Sequence, residues 1–87
     1  MEKTAMATKF NKTSALQFCY SHSRNAGFIA NYFLNNGDVA TLKAVAKLLA
    51  SGREVSTLPY RLPEDVLVVD GEVVTPAKIR DMAKSVA

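Results

Sequence analysis

The sequence predicts an α+β fold in a single domain spanning residues 1–87: three N-terminal helices, a β-hairpin at about 66–74 and a closing helix. Three observations carry this expectation. Val39, Leu42, Val45, Ala46 and Leu49 recur at helical spacing behind Asp38. Valine-rich runs flank the pair Asp70-Gly71, which tolerates the positive φ of a tight primed turn. The chain has 87 residues, 48% hydrophobic and 22% charged, enough to bury one modest core.

Residues 1–12 read as an arm or a short edge strand, with little to bury except Phe10. Thr13 or Ser14 is the expected N-cap of a first helix running to about Arg24, with Leu16, Phe18, Cys19 and Tyr20 as its apolar surface. Asn25–Gly27 is expected to interrupt the chain. A second helix then runs from about Phe28 to Asn35, with Phe28, Ile29, Phe33 and Leu34 assigned to the core. Gly37 suits the left-handed residue that ends it.

Asp38 caps the third helix, where its charge favours the helix N-terminus, and Gly52 closes it. Thr41, Lys43, Ala44, Lys47 and Ser51 are its expected outward positions. Arg53 to Asp65 forms a connector that Pro59 and Pro63 keep extended, with a further strand available at Val55–Leu58. With a two-residue turn, Val68 faces Val73 and Leu67 faces Val74. Both faces of such a hairpin are largely apolar, so the hairpin is expected to be covered on both sides. Thr75 caps the last helix and Pro76 takes its first position, with Ile79, Met82, Ala83 and Val86 as the buried stripe.

Charge and aromatic residues are distributed unevenly along this frame. No carboxylate occurs between Glu2 and Asp38, and that stretch holds six of the seven aromatic residues, the single cysteine and the single histidine. The whole net charge of +3 lies in residues 1–37, because the remaining chain carries seven cations and seven anions. Aromatic, amide and cationic groups without competing acids suit a negatively charged or π-rich partner.

No enzymatic constellation stands out. Cys19 and His22 lie three apart, yet the front half offers no second Cys, second His or carboxylate to complete a zinc site or orient an imidazole. Cys19 is therefore expected to be structural, as buried cysteines commonly are. Glu64, Asp65, Asp70, Glu72 and Asp81 follow no metal-loop spacing, and there is no glycine-rich phosphate cradle. No metal and no cofactor is expected. A lone cysteine suits a reducing, cytoplasmic setting. The first twelve residues do not read as a secretory leader, and Arg24, Asn25, Asn31 and Asn35 break every apolar stretch long enough to enter a membrane.

The sequence thus points to a small non-enzymatic binding protein, a regulator or inhibitor of the kind mobile elements and phages encode. It is expected to occupy the acidic surface of a protein partner through Lys9, Lys12, Tyr20, Arg24 and Tyr32. The alternative is a nucleic-acid-binding domain of helix-turn-helix or winged-helix type, using Lys43 and Lys47 of the third helix. Against that alternative, the third helix offers no Arg, Asn or Gln for bidentate base contacts, and Asp70 and Glu72 at the wing tip would repel phosphate.

Overall fold

Asparagine, not threonine or serine, opens the first helix. In the computed structural model, which describes residues 10–58, 62–63 and 66–86, helix α1 runs Lys12–His22 with Asn11 as its N-cap. The Asn11 side chain accepts from the Ser14 N–H at 2.7 Å, and the Ser14 hydroxyl accepts from the Asn11 N–H at 3.0 Å. This reciprocal pair satisfies two donors that a helix start otherwise leaves open. The expected arm falls almost wholly on residues 1–9, outside the described residues.

Helix α2 runs Arg24–Asn35, so the expected break at Asn25–Gly27 is corrected to a break at Ser23. Ser23 sits in extended backbone and serves both helices. Its N–H donates to the Cys19 carbonyl at 3.2 Å, and its hydroxyl accepts from the Ala26 N–H at 3.0 Å. One extended residue with a short hydroxyl side chain turns the chain and caps the next helix at once. Gly37, at φ +75°, ends α2 as expected.

Helix α3, Val39–Ala50, begins at Asp38, whose carboxylate accepts from the Thr41 N–H. Its Leu42, Val45, Ala46 and Leu49 are buried, and so are Thr41, Ala44 and Leu48. Thr41 and Ala44 are therefore not outward positions. Both lie on the side that α4, Pro76–Lys84, approaches, and this second packing surface widens the buried face of α3.

The sheet is antiparallel, in the order β1 (Val55–Ser56), β2 (Leu67–Val69), β3 (Glu72–Val74). Val68 pairs with Val73 and Leu67 with Val74, the expected register. Asp70 and Gly71 have φ of +52° and +88°, as a primed two-residue turn requires. β1 adds the third strand, pairing Val55 with Val69. Leu67, Val69, Val74 and Val55 turn inward to the helices, while Val73 is 56% exposed on the other face. The expectation of a hairpin covered on both sides is thus corrected: side chains alternate across the strands, and the described residues supply a layer for one face only.

Thr75 accepts from the Lys78 N–H at 3.2 Å and Pro76 takes the first turn of α4. Ile79 and Ala83 are buried, and Met82 and Val86 pack against the core from its margin. The molecule is a compact single α+β domain with its core between the helices and the inner face of the sheet.

Candidate functional site

The corner where α1 meets α2 holds the first site. Tyr20, in the last turn of α1, lays its ring against Gly27 in the second turn of α2. A Cβ at Gly27 would meet the ring at 2.3 Å, so only glycine lets it approach this closely. The ring is held by backbone on one side and is still 53% exposed on the other. Phe28 is also 53% exposed, which corrects its assignment to the core. The buried stripe of α2 is Ala26, Ile29, Ala30 and Phe33, and Phe28 falls outside it. Arg24 lies four residues before Phe28, hence on the same helical face, and is exposed.

Two of the expected cations work against the helices that carry them, Arg24 at this corner and Lys12 at the opposite end of α1. Lys12 and Arg24 occupy the first positions of α1 and α2, and neither helix has an acid in its first turn. The positive end of a helix dipole disfavours such cations by about 0.3–1 kcal/mol each. Neither residue forms an ion pair among the described residues. Of the other expected partner-binding residues, Tyr32 is half-buried, edge-on to Phe33 at 5.6 Å, and its carbonyl accepts from the Asn36 side chain. Lys9 lies outside the described residues. The structure therefore places Tyr20, Arg24 and Phe28 around the α1–α2 corner and leaves Lys12 at the other end of α1.

Cys19 is fully buried and burial pushes its thiol up to about 11, so it is neutral at ordinary pH and poorly nucleophilic. His22 is exposed, its ring 6.2 Å from that of Phe18, which in turn lies 5.4 Å from Phe10. Among the described residues no three His, Cys, Asp or Glu side chains converge as metal ligands.

A second feature lies between α3 and α4. It is an open groove of about 380 Å³. Ala40, Ala44 and Ala83 line it together with Phe10, and Lys43, Lys47, Arg80 and Lys84 flank them. Lys43 and Lys47 are expected from the sequence, and the fold adds Arg80 and Lys84 to them. Arg80 is fixed in place: its Nη1 donates to the Thr41 hydroxyl at 2.7 Å and lies 3.6 Å from the Asp38 carboxylate. The Thr41 hydroxyl in turn donates to Asp38 at 2.7 Å, so a fully buried hydroxyl is satisfied in both directions.

Asp70 makes its own cluster at the hairpin turn. Its carboxylate accepts from the Glu54 N–H at 2.9 Å and from the Arg53 guanidinium. The backbone donor foremost, and Arg53 after it, hold this carboxyl below its ordinary value.

No family model matches this chain, and no characterised protein or solved structure is detectably similar to it. No helix among the described residues is long and apolar enough to cross a membrane.

Proposed function

We propose that this is a non-enzymatic binding protein, a small regulator or inhibitor that acts by occupying the surface of a protein partner. The observation that supports it best is Tyr20, seated on the Gly27 backbone and still more than half exposed. A tyrosine already packed on backbone has less freedom to lose on binding than one in open solvent, and tyrosine and arginine often anchor protein interfaces. Phe28 and Arg24 extend the same corner. Arg24, a cation at an unfavourable helix start, suits a corner kept for a partner with an acidic surface. A cytoplasmic setting goes with this reading, since a lone buried thiol needs no oxidising compartment.

The competing reading is a nucleic-acid-binding domain, and one observation favours it: Arg80 and Lys84 join Lys43 and Lys47 around one groove. Capture from nuclease-treated lysate across a salt series tests the two. A protein held through Tyr20 and Arg24 is the expected outcome. Retention of nucleic acid alone, lost steeply with salt, overturns it.

A further inference from the structure

The groove between α3 and α4 has a charge pattern of its own. On α3 the lining runs Ala40, Lys43, Ala44, Lys47, spaced i, i+3, i+4, i+7. On α4 it runs Arg80, Ala83, Lys84, spaced i, i+3, i+4. Each helix therefore presents small residues flanked by cations along a single face. Among the described residues no acid lines the groove, and Lys43, Lys47 and Lys84 form no ion pair. Arg80 is aimed and held by Thr41 and Asp38.

We propose that this groove docks an acidic amphipathic helix of a protein partner, a surface separate from the Tyr20 corner. Alanines leave room for a helix backbone to come close and for its apolar side chains to fill the 380 Å³ volume, with Phe10 adding apolar contact. Lysine stems extend that apolar lining while their ammonium groups stay in water, where carboxylates on the flanks of the docked helix meet them. A second copy of the chain is disfavoured, because it brings a net charge of +3 to a cationic groove. Nucleic acid fits less well: alanine offers no donor to phosphate, and Phe10, the one aromatic lining residue among those described, gives no stacking series. The inference shares with the proposed function only the premise that the partner is a protein.

The probe is a synthetic helical peptide of about 18 residues, with a leucine stripe flanked by glutamates, titrated into the 15N-labelled chain. A peptide with lysine in place of glutamate and a duplex oligonucleotide run in parallel. The acidic peptide should shift the amides of Ala40, Lys43, Ala44, Lys47, Arg80 and Lys84. Lys43→Glu combined with Lys47→Glu should weaken it at least about tenfold. Ala40→Trp, at an exposed position, should do the same by filling the groove with charge unchanged. Thermal melts verify that each variant folds, and Lys84→Glu replaces the α3 double change if that one does not. Absence of shifts at the groove, indifference to Ala40→Trp, or equal binding of the lysine peptide overturns the proposal while leaving the Tyr20 corner untouched. Duplex binding through the same amides with a steep salt slope overturns the groove assignment and the protein-partner premise together.

Discussion

The ring of Tyr20 occupies the space that a side chain at residue 27 would need, and this contact joins the end of α1 to the start of α2. Gly27 is therefore explained by packing and not by a turn, since it lies inside a continuous helix. Gly27→Ala sets two effects against each other. Alanine gains about 1 kcal/mol of helix propensity, and the Cβ evicts the ring from its seat. Because Tyr20 is already half exposed, the ring can swing into water, so stability should change by less than about 1 kcal/mol. Partner binding should fall as far as it does in Tyr20→Ala. A variant that binds normally would show that the seated pose is irrelevant to function.

The Asp70-Gly71 turn offers a cleaner test of backbone strain. Nothing lies within 4 Å of a Cβ built at Gly71, so a larger residue there meets no neighbour. Its φ of +88° is nonetheless a conformation that β-branched residues rarely adopt. Gly71→Val should cost about 2 kcal/mol by chemical denaturation, and Gly71→Asn distinctly less. Equal losses for the two would assign the effect to something other than φ.

Thr41 ties α3 to α4 through a hydroxyl that accepts from Arg80 and donates to Asp38. Thr41→Val keeps the shape and deletes both bonds. It should destabilise by about 1–2 kcal/mol, because a buried partner for the guanidinium and for the capping carboxylate is lost at once. In combination with Arg80→Met the two losses should be less than additive, as expected for side chains that share a bond. Full additivity in a double-mutant cycle would remove the coupling.

Asp70 should make stability depend on acid. Its carboxyl is held below the ordinary 3.8, first by the Glu54 N–H and then by Arg53. A group depressed in the folded state takes up its proton more readily in the unfolded chain. The stability it adds is thus present above the ordinary value and lost as pH falls through the folded one. Asp70→Asn keeps a residue suited to the turn and removes the charge. The gap in melting temperature between the parent and this variant should be widest above about pH 5 and close below about pH 4. Salt should narrow it, since the group is exposed. A gap unchanged down to pH 2 would trace it to packing.

What the sequence made legible was whatever is decided locally. Asp-Gly between β-branched runs fixes its own register, and Asp38 before a helical stripe fixes the start of α3. Misread features were those decided at a distance. Gly27 looked like a breaker because its partner, Tyr20, lies in another helix. Phe28 reads as core on hydrophobicity alone, although the spacing 26, 29, 30, 33 defines a buried stripe that omits it. Val73 was expected under cover because no pattern in its own strands tells how many layers the domain supplies. The groove needs α3 and α4 side by side, so Arg80 and Lys84 could join Lys43 and Lys47 only once that packing was known. For them the sequence held a weaker hint, the i, i+4 cation pair on α4.

The last prediction separates the two functional readings by the form of the losses. If a protein is held at the α1–α2 corner, the energy should concentrate in a few anchors. Tyr20→Ala or Arg24→Ala should then cost about 2 kcal/mol or more in binding, and Phe28→Ala a comparable amount. Lys12→Ala should cost under about 0.5 kcal/mol, because Lys12 sits at the opposite end of α1 from the corner and acts only through long-range charge. If nucleic acid is held instead, the losses should spread evenly. Lys43→Ala and Lys47→Ala would each weaken binding to every sequence alike and lower the salt slope by about one. Tyr20→Ala would then leave binding unchanged, since that ring lies outside the cationic groove. Titration calorimetry of the captured partner against these variants at two salt concentrations decides between the patterns. Concentrated losses at Tyr20 and Arg24 with a shallow salt slope are the expected result, and even losses across the lysines with a steep slope would replace the protein partner by a nucleic acid.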